Sequence, residues 1–140
     1  MKTVLDTNVL SEIMKPQGAR KVKNWVVTQP RENLFITSIT QAEILYGIAI
    51  LPDGKRRQAL RVSAQAMFVE EFIGQILAFE QKAAVDFAEI AANRKKIGKP
   101  ISQADAQIAA ICLVNNAAIA TRNVDDFADC QIKIVNPWDL

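Results

Sequence analysis

Four acidic residues, Asp6, Glu43, Asp105 and Asp126, stand where strands end or helices begin, a placement that suits carboxylate chemistry. Asp6 follows the apolar strand Thr3-Val4-Leu5 and precedes a helical pattern that opens at Val9-Leu10. Glu43 comes after the strand-like Leu34-Phe35-Ile36-Thr37, Asp105 opens a periodic helix, and Asp126 follows Ala118-Ile119-Ala120-Thr121. In open α/β sheets, ligands bind beyond the carboxyl ends of the strands. If these strands run parallel, all four acids fall at that edge, where helix N-termini point their positive dipole ends. Two carboxylates ~5 Å apart at an effective dielectric of ~20 repel by roughly 3 kcal/mol, so a cluster needs a cation or a raised pKa. Oxygen donors without His or Cys select hard ions, Mg2+ or Mn2+, over zinc. Phosphate chemistry is the natural reaction at such an ion.

The chain has no histidine. That removes histidine acid–base catalysis, triads with a histidine base and histidine-containing zinc sites, leaving mostly carboxylate chemistry for a hydrolase. A structural explanation competes with the catalytic one. Thr40-Gln-Ala-Glu43 and Ser102-Gln-Ala-Asp105 both match the capping box, in which the acid bonds back to a helix start. Asp6 could likewise cap the helix it precedes.

The elements that must position these acids are legible as alternating patterns. Strands are expected at Thr3–Leu5, Leu34–Thr37, Gln75–Phe79, Ala118–Thr121 and Ile132–Val135. Helical spacing fills the gaps: Val22, Trp25 and Val26 before Pro30, then Ile44, Leu45, Ile48 and Leu51 before Pro52-Asp53-Gly54. A further helix begins near Lys55, a long one runs through Ala84, Phe87, Ala88 and Ala91 to Gly98, and one follows Pro100. Strands alternating with helices predict an α/β fold, a mostly parallel sheet flanked by helices on both faces.

At 140 residues the chain fits one domain, 1–140, with enough apolar content (50%) for a proper core. No apolar run approaches the ~18 residues that span a bilayer, and the N-terminal one meets Asp6 at once, so a cytoplasmic location is expected. Cys112 in an apolar helix and Cys130 near a turn suit buried thiols in a reducing compartment; a disulfide between them is the alternative. The net charge of +2 does not by itself call for nucleic acid. Clusters at Lys55-Arg56-Arg57 with Arg61, and at Arg94-Lys95-Lys96 with Lys99, are candidate phosphate contacts or solvated helix faces.

Leu5-Asp-Thr-Asn-Val-Leu, Ile39-Thr-Gln-Ala-Glu-Ile-Leu-Tyr-Gly, Ala104-Asp-Ala-Gln-Ile-Ala-Ala and Thr121-Arg-Asn-Val-Asp-Asp-Phe occur in that order. With Asn136-Pro-Trp near the end, the chain resembles PIN-domain nucleases and, more narrowly, VapC-type toxins of bacterial toxin–antitoxin pairs. The resemblance implies a five-stranded parallel sheet between helices, with Asp6, Glu43 and Asp105 around Mg2+ and Asp6 and Asp105 as direct ligands. Mn2+ would substitute. Asp126 is the favoured fourth acid, although Asn123 stands where some relatives carry an acid and is the candidate to orient a metal-bound water. Asp125 reads as a solvated turn residue. Thr7 and Asn8 would support the site, and Arg122 with the Arg94–Lys99 cluster would hold the RNA backbone.

By the same resemblance the activity is metal-assisted hydrolysis of RNA, leaving a 5′-phosphate and a 3′-hydroxyl. The partners would be a cognate antitoxin with a DNA-binding domain, gripped by the Leu45–Phe72 region, and a second copy of the chain in a homodimer. Ordinary core packing is the alternative for Leu51, Leu60, Val62, Met67 and Phe68. Two other functions compete. Haloacid-dehalogenase-like phosphatases also place an acid after the first strand, but their second Asp is replaced here by Asn8, which cannot act as a general acid. A catalytically weak subunit that binds an antitoxin and tightens operator occupancy is the non-enzymatic rival.

Overall fold

The computed structural model describes residues 1–140. Five parallel strands, β1 (Thr3–Leu5), β2 (Leu34–Thr37), β3 (Ile76–Leu77), β4 (Ala118–Ala120) and β5 (Ile134–Val135), form one sheet in the order β3-β2-β1-β4-β5. β1 lies at the centre, with Leu5 paired to Ala120, so Asp6 emerges at the middle of the carboxyl edge. The helices are α1 (Thr7–Met14), α2 (Arg20–Thr28), α3 (Ser38–Ala49), α4 (Lys55–Ala66), α5 (Gln81–Lys96) and α6 (Gln103–Val114). None is long and apolar enough to cross a membrane.

The period-two alternation of the strands separates two cores. Val4 and Ile119 face one cluster with Ile90 of α5 and Ala106, Ile108 and Ile111 of α6. Leu5, Ile36 and Ala120 face the other, with Val9 and Leu10 of α1, Val22 of α2, Ile44 and Ile48 of α3, and Ala64 of α4. The helices therefore cover both faces, as the sequence predicts. In α6, Ala106 and every residue from Ile108 to Cys112 are buried, because that helix is enclosed by the sheet and α5.

Three strands are shorter than the apolar runs suggest: β4 by Thr121 alone, β3 and β5 by more. Gln75 stays out of β3 and donates its side-chain amide to the carbonyls of Arg31 and Leu34, both at 2.6 Å. Phe79 turns out of the sheet to meet Phe87 of α5 edge-on, with centroids 5.9 Å apart. Ile132 likewise packs beside the core before β5 begins.

The turn after α5 matters for the carboxyl edge. Gly98 takes a left-handed φ of 77°, and the bonds from Gly98 N to Lys95 O and from Lys99 N to Arg94 O form a Schellman cap. Cys112 and Cys130 are both buried free thiols, not a disulfide, and burial pushes each thiol's pKa up.

Candidate functional site

The end of β1 fixes Asp6 tightly. Its N–H donates to Ala120 O at 2.9 Å, and its carboxylate is almost fully buried. Oδ1 accepts from the Thr7 N–H at 2.8 Å, so Asp6 is indeed the N-cap of α1. Oδ2 accepts from the buried Thr121 hydroxyl at 2.8 Å and from the Asn8 amide at 3.3 Å. Capping and site membership are thus compatible, since each carboxylate oxygen has two lone pairs.

Burial pushes the Asp6 carboxyl up to about 6; bonds from Thr121 and Thr7 oppose the rise, and the charges of Asp105 and Glu43 add to it. Asp105 is also raised, chiefly by burial, with Asp126 and Glu43 adding and Ser102 and Arg94 opposing. These four acids come from separate parts of the chain; the folded structure brings Asp105 and Glu43 within electrostatic reach of Asp6, and Asp126 and Glu43 within reach of Asp105. Glu43 and Asp126 remain exposed to solvent, whereas Asp105 is partly buried.

The two apparent capping boxes differ. Ser102 is a true N-cap, accepting from the Asp105 N–H at 3.1 Å, but the Asp105 carboxylate makes no return bond. On α3 the cap is Thr37, which accepts from Thr40 N at 3.1 Å. Thr40 is therefore already inside the helix, and the capping explanation of Glu43 is corrected: Glu43 Oε1 instead accepts from the Thr7 hydroxyl at 2.7 Å.

Around the acids, Asn8 Oδ1 accepts from the Arg122 N–H at 3.3 Å, and the Asn123 N–H donates to the Thr121 hydroxyl at 3.0 Å. Asn123 and Asp125 are exposed, Asp125 within a short 3-10 turn over Val124–Phe127. The Arg122 guanidinium lies 5.1 Å from the centre of the Trp138 ring, so the Asn136-Pro-Trp segment packs beside the residue that follows Thr121. Thr121 escaped sequence reasoning as a support for Asp6, because only β1–β4 pairing reveals their proximity.

Arg94 is a correction. Rather than facing solvent as a phosphate contact, it is buried, with Nε donating to Lys99 O at 2.7 Å and Nη1 to Asp126 O and Ala128 O, each at 2.9 Å. It ties the end of α5 to the turn carrying Asp126. Lys95, Lys96 and Lys99 remain exposed, Lys99 near Asp129 at 3.6 Å.

No three acidic groups gather at the spacing that would chelate an ion unaided. The donor set nevertheless fits a hard divalent ion, because Mg2+ keeps several waters and takes only one or two carboxylates alongside substrate phosphates. The raised carboxyls of Asp6 and Asp105 also lack a contacting cation, since Arg94 is spent on carbonyls.

The PIN domain family profile matches residues 3–132. The VapC ribonuclease Y4jK of Sinorhizobium fredii is 36% identical over 97% of each chain. Toxin FitB of Neisseria gonorrhoeae is 34% identical over 96% of this chain and 97% of its own. A solved structure of FitAB bound to an IR36 DNA fragment superposes with a TM-score of 0.92 at 34% identity, covering 99% of this chain and 96% of that one.

Proposed function

Because this chain belongs to the PIN-domain family, and within it to the VapC/FitB-type ribonuclease toxins of toxin–antitoxin systems, we propose that it is a Mg2+-dependent endoribonuclease neutralised by a cognate antitoxin. The observation that carries this reading is the convergence of Asp6, Glu43, Asp105 and Asp126 at one sheet edge, with Asp6 and Asp105 both raised. Asp6 and Asp105 hold the ion, Glu43 completes the group, and Asp126 is the fourth acid. When bound, Mg2+ supplies an activated water and offsets charge developing on the phosphodiester; Mn2+ substitutes.

The chain's own residues do the positioning. Thr121, Asn8 and the Thr7 N–H keep Asp6 oriented, while Asn123 orients the attacking water. Arg122, beside the Trp138 ring, and Thr7 contact the RNA, and Lys95, Lys96 and Lys99 screen its backbone without reading bases. The domain acts as a cytoplasmic homodimer. Leu45, Tyr46, Ile50 and Val62, exposed on α3, α4 and their connection, are available to partner chains, whereas Phe68 and Phe72 are spent on the core.

Purified protein free of antitoxin, incubated with total bacterial RNA and Mg2+ or Mn2+, should produce 5′-phosphate ends. Cleavage should vanish with EDTA and in Asp6→Asn. A folded, metal-loaded protein that cuts none of those RNAs sinks the enzymatic reading. It would favour a co-repressor bound to its antitoxin, a role that the FitAB complex on DNA makes natural for this chain as well.

A further inference from the structure

Thr40 is fully buried, and its hydroxyl takes no part in capping α3, because Thr37 performs that task through the Thr40 backbone. A buried hydroxyl requires a partner, and its partner is the Thr7 hydroxyl at 2.9 Å. Thr7 in turn reaches Glu43 Oε1 at 2.7 Å. Proton counting gives the chain a direction. An ionised carboxylate only accepts, and each threonine hydroxyl has a single proton. Thr7 therefore donates to Glu43, so Thr40 must donate to Thr7.

We infer that Thr40 is a positioning residue that orients the Glu43 carboxylate through Thr7, fixing Oε1 and leaving Oε2 for the metal or its waters. This rests on the reading of Glu43 as part of the metal-holding group. Thr40 and Glu43 occupy one face of α3 three residues apart, and Thr7 stands on α1, so the relay couples two helices that enter the site from different strands. Without it, Glu43 is an exposed side chain with no other hydrogen bond to orient its carboxylate.

Calorimetric titration of Mn2+ into the full, EDTA-stripped chain tests the relay without requiring an RNA substrate. Thr40→Val should weaken Mn2+ binding about tenfold, the lower end of losses seen when an outer-shell partner of a metal ligand is removed. Thr40→Ser should restore wild-type affinity, and Thr40→Val should add nothing in a Glu43→Gln background. Wild-type affinity in folded Thr40→Val, or a full additive loss beside Glu43→Gln, overturns the inference. Thr7→Val breaks the next link at a partly exposed position; wild-type affinity there overturns the relay even if Thr40→Val fails to fold. A wild-type chain that takes up no Mn2+ instead overturns the metal reading itself, and the relay with it.

Discussion

Thr40-Gln-Ala-Glu43 and Ser102-Gln-Ala-Asp105 carry the same hydroxyl-x-x-acid signature, yet the fold uses them differently. Ser102 stops a chain arriving from an extended loop, so it becomes the N-cap and delivers Asp105 on the first turn of α6. Thr40 follows a strand whose last residue, Thr37, has already capped α3, so its hydroxyl is free to point at a neighbouring helix. The difference teaches that a local signature specifies a helix start only when no better cap lies immediately upstream. It also leaves one acid partly buried and the other exposed on a hydroxyl relay.

The largest expected effect separates the two acids. Asp105→Asn should lower Mg2+-dependent cleavage by about 100-fold or more, at or beyond the upper end of the losses seen for an outer-shell partner, because it removes one of the two carboxylates proposed to hold the ion itself. Glu43→Gln should cost less, about 10-fold to 100-fold. Single-turnover cleavage measures both, and a greater loss for Glu43→Gln would break the distinction drawn from burial.

Asp6 extends the burial series to its far end and predicts a pH dependence. Its folded carboxyl holds a proton up to about 6, against an ordinary value of 3.8. Between those values the folded state binds more protons than the unfolded one, so stability of the metal-free chain should fall as pH rises, by about 3 kcal/mol from Asp6 alone, then level off. A divalent ion should reverse the loss above that window and do little below it. Denaturation of EDTA-treated and Mn2+-loaded protein across the window checks both signs.

Arg94 opposes the rise at Asp105 and anchors the turn of Asp126, which makes it a probe of the α6 side alone. Arg94→Met should cost about 2–3 kcal/mol by leaving buried carbonyls unpartnered, read by urea denaturation. The smallest effects resolve the caps: Ser102→Ala and Thr37→Ala should each cost about 1 kcal/mol. Thr40→Ser, which keeps the hydroxyl but deletes a fully buried methyl, should cost about 1 kcal/mol through lost packing.

Some of this was legible along the chain. The alternation of Thr3–Leu5, Leu34–Thr37 and Ala118–Thr121 with amphipathic stretches determined a parallel α/β sheet covered on both faces, because side-chain period reports directly which face is buried. The acids at strand ends followed from the same pattern, since a parallel sheet collects its carboxyl ends at one edge. Tertiary structure alone decided what each polar group does there. Arg94 stands in a basic run with Lys95 and Lys96, yet helix geometry turns it inward to bind the carbonyls of Asp126 and Ala128, thirty-two and thirty-four residues away. Thr121 supports Asp6 across 115 residues, and Thr40 meets Thr7 across 33. Hydrogen bonds are short and directional, so their partners depend on atoms that meet only after packing, whereas hydrophobic burial is non-directional and leaves its period in the sequence.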